Sequence, residues 1–411
     1  MNKRFLVWVL PILICFATIQ CNSNEESQNE KHPVLLVSID GLMNDYLERN
    51  DTPNFDQFLS EGVSAEYLIP IFPTKTFPNH WSIVTGLYAE NHGIISNSFF
   101  DYELDARFSY GPPDDYEKGE DWWGGEPIWA TAEKQNRTTV TFFWPGSESS
   151  INGVRPTIWK DYDGSVPDSA RIDSIAAWFD PAGDIKADFG TLYFSFIDSR
   201  GHAFGPNSAE VDEAVLEMDN LLGYLIDKLD EIGLSDSISI LLTSDHGMAE
   251  LSHDKIIFLD DIININHVDV IDWSPVAMLK PNSGRADDVY NALKLSEQNY
   301  TVYWRDELPE RFRFRNHYRI PEIIMIADVS YTITNRAFYE QRGIVAGAHG
   351  FDNYAPEMRT FFAAKGPEFK QGEIAPPFES VHIYELLNYL IGTEPAQNDG
   401  DPELLKNILL R

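Results

Sequence analysis

The chain has 411 residues, of which 43% are hydrophobic, and this length is compatible with one large α/β unit or with two domains. Its 31 basic and 65 acidic residues give a formal net charge of −34. Such a charge favours solubility and argues against a protein that coats DNA or RNA, because the nucleic-acid backbone would be repelled.

The N-terminal segment predicts export. Basic residues precede an apolar stretch that ends at Cys21. This pattern predicts a signal peptide over residues 1–21 and a polar tether over residues 22–31. With a lipid on Cys21, the chain would be a bacterial lipoprotein, periplasmic or anchored to the outer membrane, and the lipid would be its contact with the membrane. A plain cleaved signal peptide and a retained anchor remain open. Both cysteines, Cys15 and Cys21, lie in this segment, so no disulfide is expected in the mature chain.

Four apolar, β-rich runs predict buried parallel strands separated by crossover helices. They are residues 34–39, 139–144, 191–197 and 238–243. Residues 210–232 have apolar side chains at helical spacing, which predicts an amphipathic helix. We therefore expect an α/β fold with a sheet of mostly parallel strands flanked by helices.

Carboxylates and imidazoles follow three of these predicted strands. Asp40 follows the first strand, and Asp198 follows the third, with His202 four residues later. Asp245 and His246 follow the fourth strand. Because ligands of open α/β sheets bind beyond the carboxyl ends of the strands, we expect these side chains to share one site.

A threonine and a further histidine complete this set. Thr76 lies in the segment PTKTFPNHWSIVTGLYAENHGI, and a threonine hydroxyl becomes a good nucleophile only when a base or a metal removes its proton. His349 lies in a glycine-rich loop at residues 343–350, which is predicted to return to the site. Three carboxylates, three imidazoles and one hydroxyl form a ligand set suited to two zinc ions per chain.

The region around residues 259–342 has a different pattern. Short strand candidates surround one helix-like run, which predicts a small α/β insertion. We expect a catalytic domain over residues 32–395, interrupted by this insertion, and a C-terminal tail over residues 396–411.

The chain carries six motif blocks in a fixed order between about residue 34 and about residue 390. The blocks are SIDG, PTKTFPNHWSIVTGLYAENHGI, the pair WGGEPIW and FFWPGS, DSRGHAFGP, SDHGM and GAHGFDN. With these blocks the chain resembles the nucleotide pyrophosphatase/phosphodiesterase family, a branch of the alkaline phosphatase superfamily. The resemblance implies an alkaline-phosphatase-like fold.

The resemblance also implies residue roles. Thr76 would attack phosphorus and form a phosphothreonine that water hydrolyses, while Asn97 and the backbone N–H of Thr76 would steady a phosphate oxygen. His80 and His92 match no ligand, so supporting roles are expected for them. One zinc would be held by Asp40, Thr76, Asp245 and His246, and the other by Asp198, His202 and His349.

The expected substrate is a small nucleotide. By resemblance, Phe77 and Tyr162 would hold a base between their rings, and Trp144, Glu148 and Tyr193 would line the same pocket. The chain would then be an exported two-zinc phosphodiesterase and pyrophosphatase that releases nucleoside 5′-monophosphate. Its affinity for distal phosphates stays open, because the lysines that grip a triphosphate in relatives cannot be aligned.

Two alternatives remain at this point. The same scaffold would serve a phosphodiesterase for glycerophosphodiesters or choline phospholipids, with Tyr162 and Trp122 contacting a quaternary ammonium group by cation–π interaction. A surface-tethered binding protein with a degenerate site is the other alternative. Replacement of Thr76 separates it from the enzymes.

Overall fold

A computed structural model describes residues 32–109 and 119–410. The predicted signal peptide (1–21) and tether (22–31) lie outside the described residues. Within the described ranges, no helix has both the length and the apolar character needed to cross a membrane.

Strands and helices are interspersed along the chain. The strands are β1 (Val34–Ile39), β2 (Val63–Ala65), β3 (Leu68–Ile69), β4 (Ser98–Asp101), β5 (Ala106–Ser109), β6 (Thr139–Phe142), β7 (Phe189–Phe194), β8 (Ser239–Thr243), β9 (Ala249–Glu250), β10 (Ile256–Phe258), β11 (Val268–Asp272), β12 (Val276–Pro281), β13 (Tyr300–Trp304), β14 (Ile323–Ala327), β15 (Thr332–Thr334), β16 (Gly347–Ala348), β17 (Phe362–Lys365), β18 (Glu373–Ala375) and β19 (Phe378–Glu379). The α-helices are α1 (Asn44–Glu48), α2 (Pro53–Glu61), α3 (Thr76–Thr85), α4 (Ala89–His92), α5 (Ile128–Lys134), α6 (Asp168–Phe179), α7 (Phe196–Phe204), α8 (Ala209–Glu231), α9 (Leu259–Ile262), α10 (Ala286–Leu295), α11 (Arg336–Arg342), α12 (Ile383–Ile391) and α13 (Leu404–Leu409).

Seven strands form the central sheet, in the order β18-β2-β17-β8-β1-β7-β6. Strands β8, β1, β7 and β6 are parallel, whereas β17 is antiparallel to both of its neighbours. The predicted fold class, a mostly parallel sheet flanked by helices, is therefore confirmed. The predicted strands at 139–144 and 191–197 end earlier, at Phe142 and Phe194, because the chain leaves the sheet there.

Strand β1 explains why the parallel strands are mostly apolar on both faces. Its residues alternate between two cores, with Val34 and Leu36 on one face of the sheet and Leu35 and Val37 on the other. Helices α3, α5 and α12 contribute to the first core, and α2, α6 and α8 to the second. A strand covered on both faces favours a nearly continuous apolar run, and β1 has one that only Ser38 interrupts.

A second sheet lies in the region predicted as an insertion. It has four antiparallel strands in the order β11-β12-β14-β13. A separate hydrophobic core lies beside this sheet. It includes Leu279 of β12, Met325 of β14 and Val289 of α10. We call these four strands the second sheet.

The segment after residue 395, predicted as a tail, contributes to the main core. Leu405 and Leu409 of α13 are buried there together with residues of α3 and α12. The Asp399 backbone N–H donates to the carbonyl of Gly86, the residue that follows α3. These contacts hold the C-terminal segment against the helix that begins with Thr76.

We expect Leu405→Ala to lower the free energy of unfolding by about 2–5 kcal/mol, because it removes a buried side chain and leaves a cavity. Leu295→Ala is the matched control, since Leu295 is 91% exposed. Denaturant titration of both variants measures the difference. Equal, small effects of the two substitutions would contradict the contribution of α13 to the core.

Candidate active site

The first ligand group, Asp40, Asp245 and His246, lies at the carboxyl ends of two adjacent parallel strands. Asp40 follows β1 and Asp245 follows β8. Their ligand atoms lie within 4.8 Å of one another. His246 Nε2 is 3.3 Å from Asp40 Oδ1 and 3.1 Å from Asp245 Oδ2. The structure thus brings together side chains that the sequence predicted to meet at strand ends.

The second ligand group is Asp198, His202 and His349. Asp198 does not end a strand: it lies in the first turn of α7, so the predicted strand at 191–197 is wrong at its C-terminal end. Four residues of helix place Asp198 and His202 on one face, with His202 Nε2 3.3 Å from Asp198 Oδ1. His349 Nε2 approaches the same oxygen at 3.8 Å.

The two groups adjoin each other and Thr76. The rings of His246 and His349 are stacked, with centroids 3.4 Å apart. Thr76 is the first residue of α3, and its Oγ1 lies 3.2 Å from His246 Nε2. A helix N-terminus favours negative charge, which suits both a deprotonated hydroxyl and a bound phosphate.

The carboxylate oxygens of both groups fit divalent cations. Asp40 Oδ2 accepts a hydrogen bond from the Tyr193 hydroxyl at 2.6 Å, and Asp245 Oδ1 accepts one from the Gly41 N–H at 3.3 Å. The other oxygen of each, and Asp198 Oδ1, are buried and accept no hydrogen bond from the described part of the chain. Buried carboxylate oxygens without partners are costly, and a cation would satisfy them.

The three histidines are oriented as metal ligands usually are. Each has its Nδ1 beside a backbone carbonyl, which can only accept, so Nδ1 carries the proton. The acceptors are Gly347 for His202, Gly247 for His246 and Thr74 for His349, at 2.8, 3.0 and 2.8 Å. The Nε2 lone pair of each ring is therefore free to bind a metal.

The electrostatics indicate the same chemistry. Burial, together with the neighbouring carboxylates, holds the pKa of Asp40 and of Asp245 well above the usual range. Burial also lowers the pKa of His246 and of His349 well below the usual value. Divalent cations would favour ionised carboxylates and neutral imidazoles here, because their charge outweighs the cost of burial.

Two residues support the position of Thr76. Asn97 Oδ1 accepts the backbone N–H of Phe77 at 2.9 Å, which leaves the amide NH2 as a donor next to the start of α3. His80 is buried; its Nδ1 lies 2.9 Å from the Thr76 carbonyl and its Nε2 lies 2.8 Å from Ser38 Oγ. Burial lowers the pKa of His80. The sequence did not predict this contact between His80 and Ser38, although Ser38 belongs to the SIDG block.

The predicted base-binding residues are in different environments. Tyr162 is 57% exposed, with its hydroxyl 3.2 Å from Ser195 Oγ. Phe77 is half-buried and stacks on Trp123 with ring centroids 6.4 Å apart. The sequence did not predict this contact with Trp123. Tyr193 bonds to Asp40, as described above, and Glu148 is half-buried.

Two predicted aromatic contacts are corrected by the structure. Trp144 is 2% exposed and donates its Nε1–H to the carbonyl of His80, so it lies beneath the site and not on the surface of a pocket. Trp122 is 3% exposed and packs on Phe99 and Phe108. Both rings are buried in the apolar core. The local sequence does not show whether an aromatic side chain lies in the core or lines a pocket. His92 likewise is buried, with Nε2 3.0 Å from Ser82 Oγ.

The chain is similar to proteins of known class over most of its length. A family model described as type I phosphodiesterase / nucleotide pyrophosphatase matches residues 34–352. The bis(5′-adenosyl)-triphosphatase enpp4 of Mus musculus is 36% identical over 410 residues, which cover 99% of this chain and 88% of that protein. Ectonucleotide pyrophosphatase/phosphodiesterase family member 7 of Mus musculus is 35% identical over 98% of this chain and 90% of that protein. The solved structure of murine ENPP5, an inactive threonine-to-alanine variant in complex with AMP, has a TM-score of 0.87 at 34% identity and covers 92% of this chain and 100% of that chain.

Proposed function

Because the chain belongs to the type I phosphodiesterase / nucleotide pyrophosphatase family, whose members are metal-dependent hydrolases, we propose that it is a two-zinc enzyme acting on nucleotides. It hydrolyses their phosphodiester and pyrophosphate bonds and releases nucleoside 5′-monophosphates. The observation that carries the proposal is the position of Thr76, at a helix N-terminus and 3.2 Å from His246, beside buried carboxylate oxygens without hydrogen-bond partners.

The donor set decides which residues would hold the metal. Carboxylates and imidazoles in this combination suit zinc. Bound divalent cations lower the pKa of a coordinated hydroxyl and neutralise charge on the phosphate. One ion would be held by the first ligand group with Thr76, and the other by the second ligand group.

The chain's own residues then account for the reaction. The Thr76 hydroxyl loses its proton and its oxygen attacks phosphorus, the bond from phosphorus to the leaving oxygen breaks, and the leaving oxygen takes up a proton. The phosphothreonine that results is attacked by water, which restores the Thr76 hydroxyl and releases the monophosphate. The Asn97 NH2 and the backbone N–H of Thr76 stabilise the non-bridging oxygens. The inactive threonine-to-alanine variant of murine ENPP5 supports this role for a threonine.

We propose a nucleotide as the substrate because AMP is the ligand in the murine ENPP5 complex and Tyr162 offers an exposed ring near the site. The ring of Tyr162 lies 6.1 Å from that of Tyr193, whose hydroxyl bonds to Asp40. The choline-diester alternative loses one of its two predicted aromatic contacts, since Trp122 is buried. Kinetics on a dinucleotide, a nucleoside triphosphate, glycerophosphocholine and a monoester, measured side by side, rank the substrate classes.

Tyr162→Ala is expected to weaken the productive binding of nucleotide substrates by roughly 1–3 kcal/mol, because a stacking surface for the base is lost. Nitrophenyl methyl phosphate, which has no base, should be hydrolysed almost as before. Tyr162→Phe is the matched control, since it keeps the ring and removes only the hydroxyl beside Ser195. The kcat/KM values of both substrates for all three proteins test the assignment. An equal loss on the two substrates would show that Tyr162 supports the fold.

We further propose that the chain is exported. The pattern of its N-terminal segment supports this, as does the word ectonucleotide in the name of a relative. The relatives described above are mouse proteins, so the assignment to a bacterial lipoprotein rests on the pattern that ends at Cys21. Mass spectrometry of the mature N-terminus distinguishes lipidated Cys21 from a plain cleaved end.

A further inference from the structure

A buried ion pair lies directly beside the proposed nucleophile. Lys75 precedes Thr76, and its Nζ pairs with a carboxylate oxygen of Asp272. The two side chains are only 9% and 16% exposed. Asp272 is the last residue of β11, so a charged group of the second sheet reaches the residue before Thr76. The two partners are 197 positions apart in the chain.

The same carboxylate also holds the residue before Asn97. Ser96 is buried and its hydroxyl donates to Asp272 Oδ2, the oxygen that also receives Lys75. The other oxygen, Oδ1, accepts the backbone N–H of Trp273 at 2.8 Å, which fixes the orientation of the carboxylate. Asp272 therefore binds two side chains, each of which adjoins in sequence a residue proposed to act on the phosphate.

The stem of Lys75 is enclosed as well. Gly350, which follows His349, has a positive φ of 106°, and a Cβ at this position would lie 3.1 Å from Lys75 Cε and 2.7 Å from Pro275 Cδ. A larger residue would collide with the proline ring and strain the backbone. The stem of Lys75 thus lies against the loop of His349, on the side of Gly350 that also approaches Pro275.

An ion pair of this kind need not be present for stability, since apolar residues of similar volume often replace buried pairs without loss. Its position indicates a different use. We propose that Asp272 is a positioning residue: through Lys75 and Ser96 it fixes the backbone at Thr76 and Asn97 in the geometry that attack on phosphorus requires. This inference rests on the proposed role of Thr76 as the nucleophile.

The test is Asp272→Asn, which removes the charge at nearly constant volume. We expect kcat for nitrophenyl methyl phosphate to fall by about tenfold to a hundredfold, the cost of a small misplacement of a reacting group. KM should stay within about twofold, because ground-state contacts are kept. Zinc per chain, measured by mass spectrometry, should equal that of the unmodified protein. Asp269→Asn is the matched control, since Asp269 lies in the same strand, is exposed and bonds to Tyr102.

A double-mutant cycle measures whether the two substitutions act on kcat through the same ion pair, which a purely structural role does not predict. Lys75→Met keeps the stem and removes the charge, so its effect on kcat should not multiply with that of Asp272→Asn if both act through one ion pair. Asp272→Glu should recover part of the lost turnover, because it restores the charge. Ser96→Ala removes one donor to Asp272 and an acceptor of Lys75 Nζ at 3.4 Å, but it keeps both charges of the ion pair, so it should lower kcat by a smaller factor. It decides the question if Asp272→Asn does not fold.

Normal kcat in Asp272→Asn, or a fall in kcat that matches a fall in bound zinc, would overturn the inference. Independent, multiplying effects of Lys75→Met and Asp272→Asn would do so too. A failure of the proposed function is recognised separately, because the unmodified protein would then show no zinc-dependent turnover of any phosphodiester.

Discussion

Thr76→Ala is expected to lower kcat by at least about a thousandfold while the protein still folds and binds zinc, because the substitution removes the nucleophile itself. The hydroxyl lies at the N-terminus of α3 and 3.2 Å from His246 Nε2, and no neighbouring residue is proposed to share its role. Thr76→Ser should retain part of the activity, since it keeps an oxygen at the same position. Single-turnover and steady-state kinetics on a chromogenic diester measure both variants.

Thr85→Ala is a suitable control, because Thr85 ends the same helix and bonds to the Trp81 carbonyl. It should leave kcat nearly unchanged. Rates like those of the unmodified protein in Thr76→Ala would exclude the covalent mechanism. Such rates would also exclude the binding-protein alternative, because the diester would still be hydrolysed.

Removal of metal is expected to abolish activity, and zinc is expected to restore it. If each candidate ligand group holds one ion, as proposed, the purified protein should contain two ions per chain. The apoprotein should also unfold at a lower temperature, because an ion that binds only the folded state stabilises it by mass action. Elemental analysis, activity after chelation and thermal unfolding with and without zinc test these outcomes together.

Single substitutions assign the ions to their groups. Asp245→Asn should reduce zinc in the first ligand group, and His202→Ala should reduce it in the second, each with a large loss of turnover. His253→Ala is the control, because His253 is exposed and bonds to Tyr339. A preparation with full activity and no bound transition metal would refute the metal assignment.

The first ligand group could be predicted because its residues follow apolar runs immediately. Asp40 and Asp245 come directly after or within two residues of their strands, and adjacent parallel strands carry them to the same edge. Asp198 and His202 were expected at the same site because they follow a predicted strand, but the structure brings them together one helical turn apart in α7. Local pattern thus decides contacts that are made within one element or at the end of one.

Other features depend on tertiary packing that local pattern does not contain. Trp144 is an aromatic residue within a motif block, which favoured a role in substrate binding. Its side chain is instead buried, and its Nε1–H donates to the His80 carbonyl. The pairing of Lys75 with Asp272 joins segments far apart in the chain, and neither segment signals the other. Leu405 belongs to the predicted C-terminal tail, residues 396–411, yet it is buried in the core with residues of α3 and α12.

The order of the ligands along the chain has a consequence for biosynthesis. During synthesis, the first ligand group is complete once His246 has emerged from the ribosome or a translocation channel. The second group is complete only after His349 has emerged. On the proposed assignment of two ions, metal loading would therefore be possible in two separate events during maturation. A polypeptide arrested between these positions would possess the side chains for one ion and lack those for the other.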